Sequence, residues 1–295
     1  MNDIPKTHFT LISGSATWGH KFPEDFGEPG VRLLEESMCF ETPWGASENW
    51  KIFEMDGSAT IDRKSRLVLN VFAHGWEPER INHGAHQKVF WILKQAGVKK
   101  ILADSTCGSL NRAIQPRDYV IANDCIQPNQ TEYSVLPGRF ETINRGKQLF
   151  CPDMGKTLEG VARDLWPTRG RVYGQATNLT TGFVWGPRWE TGSEAASTRL
   201  MGCDYINQSI TPEATNAREI GACFISGSYV VNYVDGVIPG VWGEMDSIHK
   251  DLGLIAGRIS LRTVGNIKLS DECGCQQYHT PRPAKYKTAI QENRQ

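Results

Sequence analysis

Hydroxyls, amides and small residues gather at four places in this chain: Ser13-Gly-Ser-Ala16, Ser105-Thr-Cys-Gly-Ser109, Gly186-Pro-Arg-Trp-Glu-Thr191 and Asn207-Gln-Ser-Ile-Thr-Pro-Glu213. Each follows a strand-like run. In open α/β sheets ligands collect beyond the carboxyl ends of the strands, where hydroxyls and backbone N–H groups can surround an anion. Taken singly, each stretch reads first as an ordinary Ser/Gly turn. Four in one chain describe a phosphate-sized site.

Other chemistry finds less support. There is no Walker-type loop, nucleophile elbow, paired-cysteine zinc motif or His-Glu-x-x-His pattern. Cys107 has neutral neighbours that give no reason for a lowered thiol pKa, so it reads as a small packed residue. Cys273-Gly-Cys275 with His279 offers two thiols and one imidazole, short of the four ligands of a closed zinc site. No metal is expected.

The elements that must position these groups alternate. Phe9–Ile12, Ser65–Ala73, Lys100–Asp104, Asp118–Ala122, Ala176–Trp185 and Ala222–Ser226 read as strands. Between and after them, Gln87–Gly97, Lys156–Leu165, Glu190–Leu200 and Met245–Val264 carry apolar residues at helical spacing. Strand–helix alternation predicts an α/β fold with one twisted sheet flanked by helices. No repeat or linker divides the chain, so residues 1–270 read as one domain, and the polar stretch 271–295, with Thr280-Pro-Arg-Pro283, as a peripheral tail.

Composition narrows the partners. Lys plus Arg number 32 against 33 Asp plus Glu in 295 residues, a balance that gives no electrostatic case for nucleic acid or an anionic membrane. A small-molecule ligand is expected instead. Polar residues interrupt even the most apolar stretch, Cys223–Val241, and the N-terminus lacks the apolar core of a secretory signal. Together with scattered cysteines, these features predict a cytoplasmic protein.

The order of the four stretches resembles that of the trimeric purine nucleoside phosphorylases and their relatives, the methylthioadenosine phosphorylases. The resemblance runs from about Leu11 to Val264. It is carried by Gly97–Asn111 with Ile114–Ile121, by Gly186–Thr191 and by Ile206–Glu219. It implies a mixed-sheet nucleoside phosphorylase fold and phosphorolysis of a purine nucleoside to free base and sugar 1-phosphate. No cofactor is implied beyond inorganic phosphate as co-substrate.

By motif match, Ser15, Thr106, Ser209 and His74 would bind phosphate, and Trp189, Glu190 and Asn232 the base. Gln208, Trp242, Met245 and His249 would face the sugar. Asn232 and His74 would carry the catalysis. An amide at position 232 can donate to N7 or O6, and Glu190 can accept from N1–H, so the pair implies a 6-oxopurine. Glu190 also reads as a helix N-terminal acid, and His249 as a helix-surface residue. The sugar's 5′ position is open to a hydroxyl or a methylthio group.

Two departures stand out. The family has an arginine before the phosphate histidine, where this chain has Ala73, leaving Arg80 or Arg139 to supply the charge. Gln208 replaces a methionine. The loss of charge leaves open a phosphate-independent nucleosidase, or a nucleoside-binding relative with weak turnover. The resemblance also implies a homotrimer, with Pro128–Phe140 lent to the neighbouring subunit's site.

Overall fold

The structure, a computed structural model, describes residues 3–72, 83–128, 134–136, 142–168, 170–186, 188–238 and 244–283. Its strands and helices, in chain order, are β1 (Phe9–Ser13), β2 (Val31–Met38), β3 (Glu41–Thr42), β4 (Gly45–Ala46), β5 (Trp50–Met55), β6 (Arg66–Phe72), α1 (His83–Ala96), β7 (Lys100–Ser109), β8 (Tyr119–Ile126), β9 (Thr142–Asn144), α2 (Pro152–Leu165), β10 (Val172–Tyr173), β11 (Leu179–Phe183), α3 (Gly192–Leu200), β12 (Tyr205–Asn207), α4 (Ile210–Ile220), β13 (Cys223–Tyr233), α5 (Met245–Asn266) and β14 (His279–Pro281).

Strands β1, β7 and β13 are buried almost throughout, as strands covered by helices on both faces must be. They form the middle of a ten-stranded mixed sheet. β1 pairs in parallel with β6 and β7, and β13 runs parallel to β7. β13 also pairs antiparallel with β8. The path β7–β12–β11–β8–β13 therefore returns to β7 and closes part of the sheet on itself. Helix α5 lays Ile248, Leu252, Ala256 and Ile259 into the core at helical spacing. The expected single-domain α/β fold is the observed one.

Four expectations change. Ser105–Ser109, read as a loop, is the second half of β7, because β13 lies alongside and pairs with it as far as Ser109. Of Asn207–Glu213, only Gln208 and Ser209 connect β12 to α4. The β2–β5 hairpin was not read at all, since β2 alternates weakly and is mostly exposed.

The supposed tail is the fourth. Residues 271–283 are not peripheral: β14 pairs with β9, Cys275 and Tyr278 are buried, and the Arg218 guanidinium lies over the Tyr278 ring at 5.5 Å. Residues 284–295 lie outside the described residues.

Candidate active site

The ends of β1 and of β12, which runs antiparallel to β7, come against the second half of β7, with the last residues of β13 alongside, and the site is built there. At the end of β1 the turn passes so close to β7 that a Cβ on Gly14 would lie 2.4 Å from the Asp104 carbonyl oxygen. Only glycine fits. The Gly14 amide donates to Asp104 Oδ1 at 2.8 Å and the Thr17 hydroxyl to Oδ2 at 2.9 Å, which holds the turn against β7. Burial nevertheless pushes the Asp104 carboxyl up to about 7.

That turn presents Ser15 to Thr106. Their hydroxyl oxygens are 2.7 Å apart, and the Thr106 amide donates to Ser15 Oγ at 3.0 Å. One hydroxyl proton is consumed in this contact and the other remains for an anion.

Asn207, at the end of β12, ties the same point to α4. Its Nδ2 donates to the Thr106 carbonyl at 2.8 Å and to Ser105 Oγ at 2.5 Å. Its Oδ1 accepts the amides of Ser209 and Ile210 at 2.7 and 2.8 Å and the Ser209 hydroxyl at 3.2 Å. Ser15, Thr106 and Ser209, predicted apart in sequence, thus join in one network at the N-terminus of α4, where the helix dipole favours an anion. Asn207 was not predicted. An Asn-x-Ser step ahead of a helical run is a side-chain capping signal that would have found it.

Asn232 lies on the adjoining strand. It follows an irregularity in β13 between Val230 and Asn232 and stands across from Gly108, two residues beyond Thr106. It is buried, and its Nδ2 donates to the Tyr233 carbonyl at 2.9 Å, leaving one N–H and Oδ1 for a ligand.

Glu190 sits in the loop between β11 and α3. The Gln208 Nε2 holds that loop by donating to the Arg188 carbonyl at 2.9 Å, which commits one Gln208 proton to the loop. Glu190 is not the helix-capping acid: Thr191 and Glu194 form that capping box, and Glu194 also pairs with Arg188 at 2.7 Å. The Glu190 carboxyl is raised, chiefly by burial and also by the nearby Asp235 and Glu194 charges, against a hydrogen bond from its own backbone amide and the Arg188 charge. Trp189 is exposed at the rim.

On the other flank, His249 faces inward from α5. Its Nδ1 lies 2.9 Å from the Tyr229 hydroxyl and its ring centroid 5.2 Å from that of Trp18. Tyr229 donates to the Ala16 carbonyl at 3.2 Å and so joins this aromatic group to the Ser15 turn. Met245 lies one helical turn before His249, half-buried against the core. Trp18 and Tyr229 were not predicted as neighbours of the site.

His74, Arg80, Arg139 and Trp242 lie outside the described residues, as does most of Pro128–Phe140. On the β6 side of β1 a cavity of about 580 Å³ opens beside the site, lined by Ser13, Thr17, Trp18, Asn70, Phe72 and Lys51 among others.

The expectation of no metal-ligating set needs correction. Cys107 is buried and packed as predicted, but Cys151 and Cys223 join Cys273 and Cys275, and the four sulfurs lie within 4.8 Å of one another. His279 takes no part; its Nδ1 meets the Arg218 carbonyl at 2.8 Å.

Known proteins resemble this chain in sequence and in fold. The 6-oxopurine nucleoside phosphorylase of Pyrococcus furiosus is 31% identical over 236 residues, covering 77% of this chain and 80% of its own. A probable 6-oxopurine nucleoside phosphorylase of Thermococcus kodakarensis is 30% identical, covering 71% and 75%. Among solved structures, a methylthioadenosine phosphorylase from an antarctic soil metagenomic library superposes with a TM-score of 0.69 at 19% identity, covering 88% of this chain and 85% of that one. The family model described as the Phosphorylase superfamily matches residues 71–253, and the chain belongs to that family.

Proposed function

We propose that this protein is a purine nucleoside phosphorylase that prefers a 6-oxopurine base and releases free base and sugar 1-phosphate. The observation that supports it most is the Ser15–Thr106–Asn207–Ser209 network lying beside Asn232 along the second half of β7. One group of donors suits an oxyanion and the adjacent amide suits a heterocycle.

In this reading Ser15, Thr106 and Ser209 hold phosphate below the sugar, with His74 as a further donor. Phosphate oxygen bonds to C1′ as the glycosidic bond breaks, and that bond's electron pair leaves with the purine. No covalent enzyme intermediate is needed. The free N–H of Asn232 donates to N7 or O6 as negative charge grows there, which is stabilisation realised in the transition state. Ionised Glu190 accepts from N1–H and Trp189 covers the ring. Gln208, Met245, Trp242 and His249 line the sugar, where the Trp18–His249–Tyr229 group accommodates the 5′ substituent.

The relatives whose names specify 6-oxopurine substrates support the base preference. Inorganic phosphate is the sole co-substrate, and the working form is a cytoplasmic homotrimer. Among the described residues no helix is long and apolar enough to cross a membrane.

The test is to incubate the protein with inosine, adenosine and their 5′-methylthio analogues, with and without phosphate, and to measure base and sugar 1-phosphate. Phosphate-dependent release of hypoxanthine is the expected result. Base release indifferent to phosphate would make it a nucleosidase, and binding without release would remove the enzymatic reading. Asn232→Asp is expected to lower the inosine-to-adenosine ratio of kcat/KM about 100-fold, because a carboxylate repels an oxo group and leaves N7 without a donor.

A further inference from the structure

The four-cysteine cluster is remote from this chemistry. Cys223 opens β13 and Asn232 lies nine residues further along the same strand, about 30 Å away at ~3.3 Å per residue. Cys151 immediately precedes α2, and Cys273 and Cys275 flank Gly274, whose φ of 70° lets the chain reverse between them. Three separate stretches of chain therefore deliver sulfur to one buried point.

We propose that Cys151, Cys223, Cys273 and Cys275 form a tetrahedral tetrathiolate site for one zinc ion.

Spacing is the first argument. A tetrahedron with Zn–S bonds of ~2.3 Å has edges of about 3.8 Å. The Cys223 and Cys273 sulfurs are 3.6 Å apart, and all four fall within 4.8 Å. Four soft thiolates in this arrangement select zinc over the hard, oxygen-seeking cations.

The second argument is charge. A zinc tetrathiolate carries two net negative charges, which a protein interior accepts only if they are balanced. Two cations are buried beside the cluster. Lys100 Nζ lies 3.5 Å from Cys223 Sγ and donates to the Ser270 carbonyl at 2.5 Å. Arg218 donates to the carbonyls of Cys275 and Gln148 at 2.9 and 2.6 Å. Neither is within ion-pair distance of a carboxylate among the described residues, though each is only 3% exposed. Thiolates supply the anions that these two buried cations need.

The third is support of the ligands. Gln148 Nε2 donates to Cys275 Sγ at 3.4 Å and to the Cys273 carbonyl at 2.8 Å, and the Cys151 amide donates to the Phe224 carbonyl at 2.7 Å. The N–H···S contact orients the Cys275 thiolate, and the two backbone contacts fix the chain that carries Cys273 and Cys151. On binding, the thiol protons leave to solvent and no electrons move. The ion would fasten residues 273–275 to α2 and β13, a structural role that leaves the substrate site untouched.

The full-length chain, purified under reducing conditions without chelator, tests this by metal analysis, Co2+ titration and thiol alkylation. Zinc at one equivalent per chain is expected, with the visible bands and sulfur-to-metal charge transfer of tetrahedral cobalt thiolate after Co2+ exchange. The four cysteines should resist alkylation until a chelator is added, and chelation should lower Tm by roughly 5 °C or more. Cys273→Ser with Cys275→Ser should abolish the cobalt bands, while Cys39→Ser should leave them. Iron in place of zinc, no cobalt thiolate bands in the wild-type chain, or disulfides among these cysteines in the protein as isolated would each overturn the assignment. Wild-type metal content and spectra decide the matter even if the double variant fails to fold.

Discussion

Asn232 on β13 stands across from Gly108 on β7, and a methyl group on Gly108 would lie 3.5 Å from Asn232 Oδ1 and 2.8 Å from Val234 Cγ2. The Asn232 amide therefore rests over a backbone position that has no room for a side chain. The irregularity before Asn232 aims its side chain, as strand irregularities beside active sites commonly do.

Gly108→Ala tests that relationship. Val234 is fully buried and cannot recede freely, so the added methyl should push on both Val234 and Asn232. We expect a loss of about 1–3 kcal/mol in stability and a fall in kcat/KM for inosine of roughly tenfold or more from the displaced amide. Denaturant unfolding and steady-state kinetics measure the two effects separately. Wild-type kinetics in a destabilised variant would show that Asn232 is not positioned from β7.

Asn207→Ala should separate the phosphate half of the site from the base half. Every polar atom of the Asn207 side chain is engaged in holding Thr106, Ser105, Ser209 and Ile210. Its loss should raise KM for phosphate about 10-fold or more, with a smaller change in KM for the nucleoside. Equal effects on both would point to general loosening of the fold instead.

Glu190 gives a pH signature. Burial and neighbouring carboxylates raise its pKa, and in the proposed reaction the ionised form accepts more strongly from N1–H than the protonated acid does. Inosine cleavage should therefore climb with pH through a pKa above the ordinary glutamate value, as an acidic limb in kcat/KM. Glu190→Gln should remove that limb and reduce the preference for inosine over adenosine. An unaltered limb would assign it to another group.

Glu213, in the first turn of α4, bears on stability. Burial pushes its carboxyl up to about 8, the like charge of Asp104 adding to the rise, and its Oε2 has no partner. The folded state thus keeps a proton that the unfolded chain, with a pKa of ~4.3, releases. This contribution is fully present below the unfolded value and is lost as pH rises through the folded value. Tm should fall between about pH 4 and pH 8 and level off above that, and Glu213→Gln should flatten that fall by a few degrees. Thermal melts across this range check it; a Tm that rises with pH would contradict the assignment.

Much of this could be read from the chain alone. Runs such as Phe9–Ser13 and Lys100–Asp104 are apolar because both faces of a parallel strand are covered, and α5 shows its periodicity because one face meets the core. The stretches that hold Ser15, Thr106 and Ser209 were visible because hydroxyls near strand ends are local features, whereas Asn232 was singled out only by the family resemblance. What the sequence could not contain was their meeting. Asn207 acquires its role only where β12 ends against β7, and Glu190 is released from capping only because Thr191 and Glu194 take it. The cysteines carry the point furthest. Positions 273 and 275 are a visible pair, but 151 and 223 join them through the packing of α2 and β13 against the chain's last described residues. Periodicity reports how each segment meets its own immediate surroundings. Convergence of distant segments depends on strand order and register, which tertiary packing decides.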